Sequence, residues 1–490
     1  MTHLRLSQIR RITTAGTEML DEAFAALTED HLLPCPVGYP YVRVGRDYEG
    51  GDVMSGARWQ DFCQVLDETF PSWFQPTKPG GFPRWYSSHM AISLLEAVIA
   101  RIGRWDGPYT GSNPQARRLI LLLLRYLETE RQEVACAILV GHLSTEGERE
   151  LEVGGLTLSP ITSFRELGEV TRLIPTAPAA ANRELPRHFA RPECWATARA
   201  SGIDPFHLGE VAEAKVERFL LAIHLLYHGS AQPVYRVVGE TSEICQRHAD
   251  LTPLPYSSSP VALRPTVLSE AHGPAIAGVL DLYDRVRAQR KGHVVPPLDM
   301  AIIKFSGSFL PCRWYEAVVD LMTALEATLS GVDRLDIVLR VCNRAATLLT
   351  TISDPPSSIF GDLKKLYDMR STLVHGSAVS QKDLKKWTTT LSTFRPSPWP
   401  GVVMERATDR LRDLVRRALL ARLALCDTGT WPLDDGGILA IDQELADPAK
   451  AARWHDTWQS LIQTIEPLAV ERTEPLLDAI DDNYPGKDRR

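Results

Sequence analysis

The chain has 490 residues, 44% hydrophobic and 23% charged, which fits a globular protein of two or three domains rather than one large core. A formal net charge of −7 argues against a general nucleic-acid coat protein but leaves room for a local basic cleft. The longest apolar run, Leu119 to Leu124, is far short of the roughly 20 residues of a membrane span. The first residues, Met1 to Thr14, lack the apolar stretch of a secretion signal, so the expected location is cytoplasmic, with no membrane partner.

Residues 1–130 read as a helical and loop-rich N-terminal region. Helical spacing covers Thr17 to Leu27 and His89 to Ile102, and between them Leu33 to Tyr86 is dense in Gly, Pro and aromatics. So many large aromatics argue for a folded, irregular stretch. Asn113-Pro114 opens a further helix that runs to about Glu130, with proline at the first helical position.

Residues 131–265 read as a small α+β region. Val134 to Val140 is a short apolar run suited to a buried strand, and Glu150 to Leu158 alternates around the Gly154-Gly155 turn, so the β-structure is placed in residues 131–170. Leu208 to His228 returns to helical spacing and should stop at Gly229. Proline and serine crowd Thr252 to Pro265, which marks a boundary or long connection.

From residue 300 to 426 the periodicity is clean. Trp314 to Leu329 and Leu335 to Leu349 are helical, and a third helix should start at Ser357 or Ser358 as N-cap and run to His375, with Gly376 as left-handed cap. After the proline-rich loop at residues 392–401, a fourth helix spans about Val402 to Cys426. The expected fold is therefore mostly α with a small β-rich region, ending in an antiparallel four-helix bundle. Residues 427–490 form an acidic helical tail whose Trp431, Trp454 and Trp458 either pack on the core or receive a partner.

Metal and redox signals are weak. The eight cysteines (Cys35, Cys63, Cys136, Cys194, Cys245, Cys312, Cys342 and Cys426) are scattered without a CxxC pair and read as reduced, mostly buried thiols. Cys245 with His248 lacks a second half. His224 and His228 have the spacing of a zinc-binding helix but lack the glutamate that follows the first histidine in metalloproteases. No phosphate-binding loop, dinucleotide fingerprint or nucleophile elbow is present, so no cofactor and no metal are expected.

Arg370-Ser371-Thr372-Leu373-Val374-His375-Gly376 places an arginine and a histidine at the end of an amphipathic helix. The string itself is cheap. Arg84 with His89, Arg183 with His188, Arg218 with His224 and Arg287 with His293 have similar spacings. Context sets these aside. Pro186 interrupts one, loops hold two, and Arg218 and His224 are rotated about 240° apart on their helix.

Residues 300–426 resemble the Apea-like HEPN family. The likeness rests on Trp314-Tyr315-Glu316-Ala317 and Thr323-Ala324-Leu325-Glu326 in the first helix. It continues in Arg344 to Leu349 in the second and Leu366 to Gly376 in the third. It implies a HEPN-type bundle and metal-independent endoribonuclease activity, with Arg370 and His375 catalytic. It further implies a homodimer that brings two such pairs to one cleft, and a role in antiphage defence answering a phage-derived trigger. Many HEPN nucleases carry Asn, Asp or His after the arginine, whereas this chain has Ser371.

The chemistry suits the residue types. RNA cleavage needs a base near pKa 7 for the 2′-hydroxyl, and a histidine at a helix C-terminus supplies one. Arginine supplies fixed positive charge for the phosphorane-like transition state. Glu326 is expected to orient Arg370 or His375, or merely to form a salt bridge, and Tyr367 to line the cleft. Lys364, Lys365, Lys382, Lys385 and Lys386 are expected RNA contacts, transfer RNA being one candidate substrate. Helix four adds Arg406, Arg410, Arg412, Arg416, Arg417 and Arg422, read either as a solvated face or as an RNA platform. Residues 1–290 are expected to regulate the bundle. Two rival readings are a HEPN module that binds RNA or a nucleotide without cutting, and a structural adaptor that uses the helical bundle for assembly; a structural reading of the pair itself has Arg370 paired to an acid and His375 serving the helix cap.

Overall fold

The computed structural model describes residues 4–26, 32–33, 41–42, 56–75, 87–102, 113–129, 132–161, 193–202, 205–227, 231–240, 250–253, 266–289, 297–309, 314–330, 336–376, 379–396, 400–431 and 438–472. Cys35, Cys245, Cys312, His228, Gly229 and His248 lie outside these residues, as do Arg84, Arg183, His188 and His293.

Four N-terminal helices, α1 (Leu6–Ala26), α2 (Ala57–Thr69), α3 (Ser87–Ile102) and α4 (Pro114–Thr129), share one apolar cluster that includes Trp59, Phe62, Leu94 and Ile120. A Cβ on Gly16 would come within 3.1 Å of Phe62 and 3.2 Å of Ile120, so a glycine lets α1 approach α2 and α4 closely. Helix α2 falls inside the stretch read from sequence as loop-rich. The Asn113 side chain accepts a hydrogen bond from the Gln115 N–H and caps α4 as the sequence implies.

A six-stranded antiparallel sheet follows. Its strands are β1 (Gln132–Gly141), β3 (Leu151–Val153), β4 (Leu156–Ile161), β5 (Glu193–Gly202), β6 (Gln232–Glu240) and β7 (Asp250–Pro253), in the order β3-β4-β5-β1-β6-β7. Between β1 and β3, β2 (Leu143–Thr145) pairs in parallel with β8 (Thr266–Leu268). Gly154 and Gly155, at φ +60° and +78°, form the β3–β4 turn expected from sequence. The sheet extends well past residue 170. Strand β5, read as nothing in particular from sequence, has alanine at three of its ten positions and so lacks the β-branched signature. Helix α5 (Pro205–Leu226) lies on β1 and β5.

Helices α6 (Gly273–Ala288) and α7 (Pro297–Gly307) lead to α8 (Trp314–Leu329), α9 (Ile337–Leu348), α10 (Pro356–Val374) and α12 (Pro400–Asp427). These last four pack on one another, and their apolar cluster is continuous with that of the sheet and α5. The chain is thus mostly helical with a small antiparallel sheet. Helix α10 starts at Pro356, with Pro355 as its N-cap, rather than at Ser357 or Ser358; proline at the first position needs no donor partner there. Between α10 and α12, α11 (Gln381–Thr388) opens with a reciprocal capping box of Ser380 and Asp383.

The tail packs inward. Helices α13 (Ile438–Ala446) and α14 (Pro448–Ile465) bury Trp454 and Trp458, and Trp431 is buried beside them. The Trp458 indole N–H donates to the Leu348 carbonyl at 2.9 Å. Of the two openings left by sequence, packing on the core describes these tryptophans. No helix among the described residues is long and apolar enough to cross a membrane.

Candidate functional site

Helix α10 carries most of the expected site, and its burial is uneven. Ile359, Leu363, Leu366 and Met369 are buried against the bundle, which fixes which side chains face out. At 100° per residue, Lys364, Asp368, Ser371 and His375 fall within about 40° of one line along the helix. All four are exposed.

Arg370 leaves this line toward α8. Its guanidinium stands 3.7 Å from the Glu326 carboxylate, with the two side chains 31% and 18% exposed. Burial pushes the Glu326 carboxyl above the usual carboxylate range, and Arg370 and Tyr367 pull it back. Tyr367 is buried next to Glu326, and burial together with that carboxylate drives its phenol upward. No hydrogen bond of regular geometry reaches the Tyr367 hydroxyl or the Arg370 Nε among the described residues. The structure therefore brings Arg370, Glu326 and Tyr367 together.

His375 stands apart from them. It is the C-cap of α10, and its backbone N–H donates to the Ser371 carbonyl at 3.2 Å. Gly376, at φ +65°, reverses the chain as expected. Among the described residues no hydrogen bond or ion pair joins the His375 ring to Arg370 or Glu326. Five residues of helix rotate His375 about 140° from Arg370. The rotation that set Arg218 and His224 aside thus applies here as well. Within one chain the pair can converge only through the length of the arginine side chain and the position of His375 at the helix end.

Lys382, Lys385 and Lys386 sit on α11 with spacing that puts them on one side of that helix, and all three are exposed. Lys364 is exposed on α10 and Lys365 half-buried. The arginines of α12 are different. Arg406, Arg410, Arg416, Arg417 and Arg422 are buried, and Arg412 nearly so. Neither a solvated face nor an RNA platform describes them, and sequence could not reveal this because Asp354, Asp362 and the carbonyls that complete their pairing lie elsewhere in the chain. Arg410 donates from both terminal nitrogens to Asp354 at 2.8 Å and from Nε to Asp362 at 2.8 Å. Arg417 pairs with Asp354 and with Asp413. Arg416 donates to the carbonyls of Leu225, Ala469 and Glu471 and to Asp413. Charge this far from water persists only where it is paired and hydrogen-bonded, so these arginines are the interior frame of the bundle.

His224 is also interior. Its Nε2 bonds the Ala231 carbonyl at 2.8 Å, its ring stacks on Phe309 at 3.6 Å between centroids, and burial lowers its pKa to about 4. Arg218, its sequence partner, pairs with Asp284. Among the described residues no group of three or more His, Cys, Asp or Glu could hold a metal ion. Burial pushes the Cys63 thiol up to about 11 and those of Cys136 and Cys342 to about 12, away from reactivity.

Asp368, exposed on the line of Ser371 and His375, was not anticipated; its helical spacing from both was the available signal. No protein-family model, curated protein or solved structure matches this chain.

Proposed function

We propose that the chain is a metal-independent endoribonuclease of HEPN type, with His375 as proton-transfer group and Arg370 as the cation for the transition state. One observation supports this above the others. A permanently charged guanidinium, only half-buried, is held by a carboxylate at the end of the helix whose last residue is an exposed histidine. Attack of the 2′-hydroxyl on its own phosphate needs a base, an acid for the 5′-oxygen and positive charge at the phosphorus, and no metal. One histidine cannot serve both proton transfers at once, so a homodimer that apposes two copies of His375 is part of the proposal.

Exposed apolar side chains support that pairing. Helices α9 and α10 pack on each other. Val338 and Leu339 lie in the first turn of α9, and Val374 is the last residue of α10. These three side chains are 40%, 55% and 50% exposed, and Val374 adjoins His375 in the chain. Large apolar groups left in water at one place are the usual mark of an interface. The proposed biological setting is antiphage defence in the cytoplasm, with residues 1–290 holding the enzyme in check until a phage-derived trigger arrives. Helices α1 to α4, which have their own apolar cluster, are the portion whose removal tests that restraint.

A second reading, a HEPN module that binds RNA without cutting, is favoured by two features: Ser371 beside the arginine, and the separation of His375 from Arg370. The deciding experiment is incubation of total and transfer RNA in EDTA with wild type and with His375→Ala. Cleavage leaving 2′,3′-cyclic phosphate ends, lost in the variant, is the expected result. Binding without cleavage, with or without α1 to α4, would select the second reading. Equal cleavage by both proteins would refute the assignment of His375.

A further inference from the structure

Away from α10, a cavity of about 730 Å³ opens where the sheet meets α5, α6, α7 and α8. That is the size of a site for a small organic molecule. Its floor is apolar: Ile138 from β1, Leu220 and Leu221 from α5, and Ile302 from α7. Ile303, also lining it, is 60% exposed at the rim.

The charges around it are mostly matched. Arg236 pairs with Glu213, Lys304 with Asp320 at 2.7 Å, and Arg218 with Asp284. Two lining charges are left over. Arg287 has no carboxylate partner among the described residues, and Glu217 shares Arg236 with Glu213 rather than owning a cation. Glu217 is exposed at the cavity, where partial desolvation and the repulsion of Glu213 hold its carboxyl above its ordinary range. In addition, the Arg236 Nε is buried without an acceptor. The buried Arg236 Nε, short of an acceptor above an apolar floor, together with the solvent-facing Arg287 and Glu217, gives a surface whose polar groups a ligand can engage.

We infer that this cavity binds a small organic anion: an aromatic or aliphatic body on the Leu220, Leu221 and Ile302 floor, an anionic group at Arg287, and an N–H or O–H edge at Glu217. The assignment does not depend on the nuclease reading. Anilinonaphthalene sulfonate combines an aromatic body, an anionic group and an N–H, and its fluorescence rises in apolar surroundings, so it is the probe. Titrated into the full chain, it should bind saturably at one site. Arg287→Glu and Ile303→Asp, both at exposed positions and checked by circular dichroism, should each weaken binding at least about tenfold. Arg453→Glu, on the exposed side of α14, should leave it unchanged. No saturable site, or saturable binding that all three variants retain equally, would overturn the inference.

Discussion

Arg410 and Asp354 face each other through two parallel 2.8 Å hydrogen bonds, and their side chains are 1% and 0% exposed. Asp354 lies in the tight turn before α10, where a bridge pairs Thr351 with Asp354, and it also receives Arg417. Asp354→Ala should therefore strand two buried guanidinium groups at once. The expected loss is on the order of 3–5 kcal/mol in urea unfolding, against less than about 1 kcal/mol for Asp368→Ala on the exposed line of α10. Equal, small losses would mean that water reaches the pair.

If Glu326 positions Arg370, Glu326→Gln and Arg370→Ala should differ in kind. Arg370→Ala removes the charge itself and should lower turnover on RNA by at least about a hundredfold. Glu326→Gln keeps the guanidinium but loosens its aim, so a smaller drop is expected, partly restored by Glu326→Asp. A Glu326→Gln enzyme as inactive as Arg370→Ala, yet fully folded, would give the carboxylate a more direct part.

The α11 lysines offer a test by salt. Each phosphate contact contributes about one unit to the slope of log affinity against log salt. Changing Lys382, Lys385 and Lys386 together to alanine should weaken RNA binding and lower that slope by about two to three. An unchanged slope would remove α11 from the RNA path.

The exposed apolar side chains of α9 and α10 should govern assembly. Leu339→Asp with Val374→Asp puts two carboxylates where two copies are proposed to meet, and sedimentation should then report a monomer that has lost cleavage but kept its fold. A monomeric wild type that still cleaves would end the two-histidine scheme.

Acid should find His224. Its pKa is lowered from an ordinary value near 6.5 to about 4, so the folded chain binds this proton less readily than the unfolded chain. The stabilisation is fully present above about pH 6.5 and is lost as pH falls through 4, by about 3 kcal/mol at pH 4. Asp409, buried nearby with Arg412, is raised to about 7 and acts in the opposite sense. The comparison must therefore be between wild type and His224→Gln. The stability gap between them should narrow from pH 7 to pH 4, as followed by chemical denaturation.

Sequence made the local events legible. Periodicity located α8 to its terminal residues, glycine marked the C-terminal end of α10 and the β3–β4 turn, and the residues singled out for the site include Glu326, Tyr367 and Arg370, which do meet. What it hid depends on distant partners. The alanine-rich β5 is a strand because β1 and β4 flank it, and the arginines of α12 are interior because Asp354 and Asp362 come to them. A charged residue carries no mark in sequence of whether its counter-ion is water or a carboxylate 56 residues away.

Arg416 ties two remote stretches of chain, one at Leu225 and one at Ala469 and Glu471, to a single planar cation in the interior. Such a group cannot release one stretch and keep the other without leaving a carbonyl and a charge unsolvated together. The sheet, the bundle and the tail are therefore expected to melt in one calorimetric transition, with α1 to α4 free to melt in another. A signal sensed anywhere on the larger unit then needs no hinge or linker to be felt at α10. It arrives as a change in the stability of the whole.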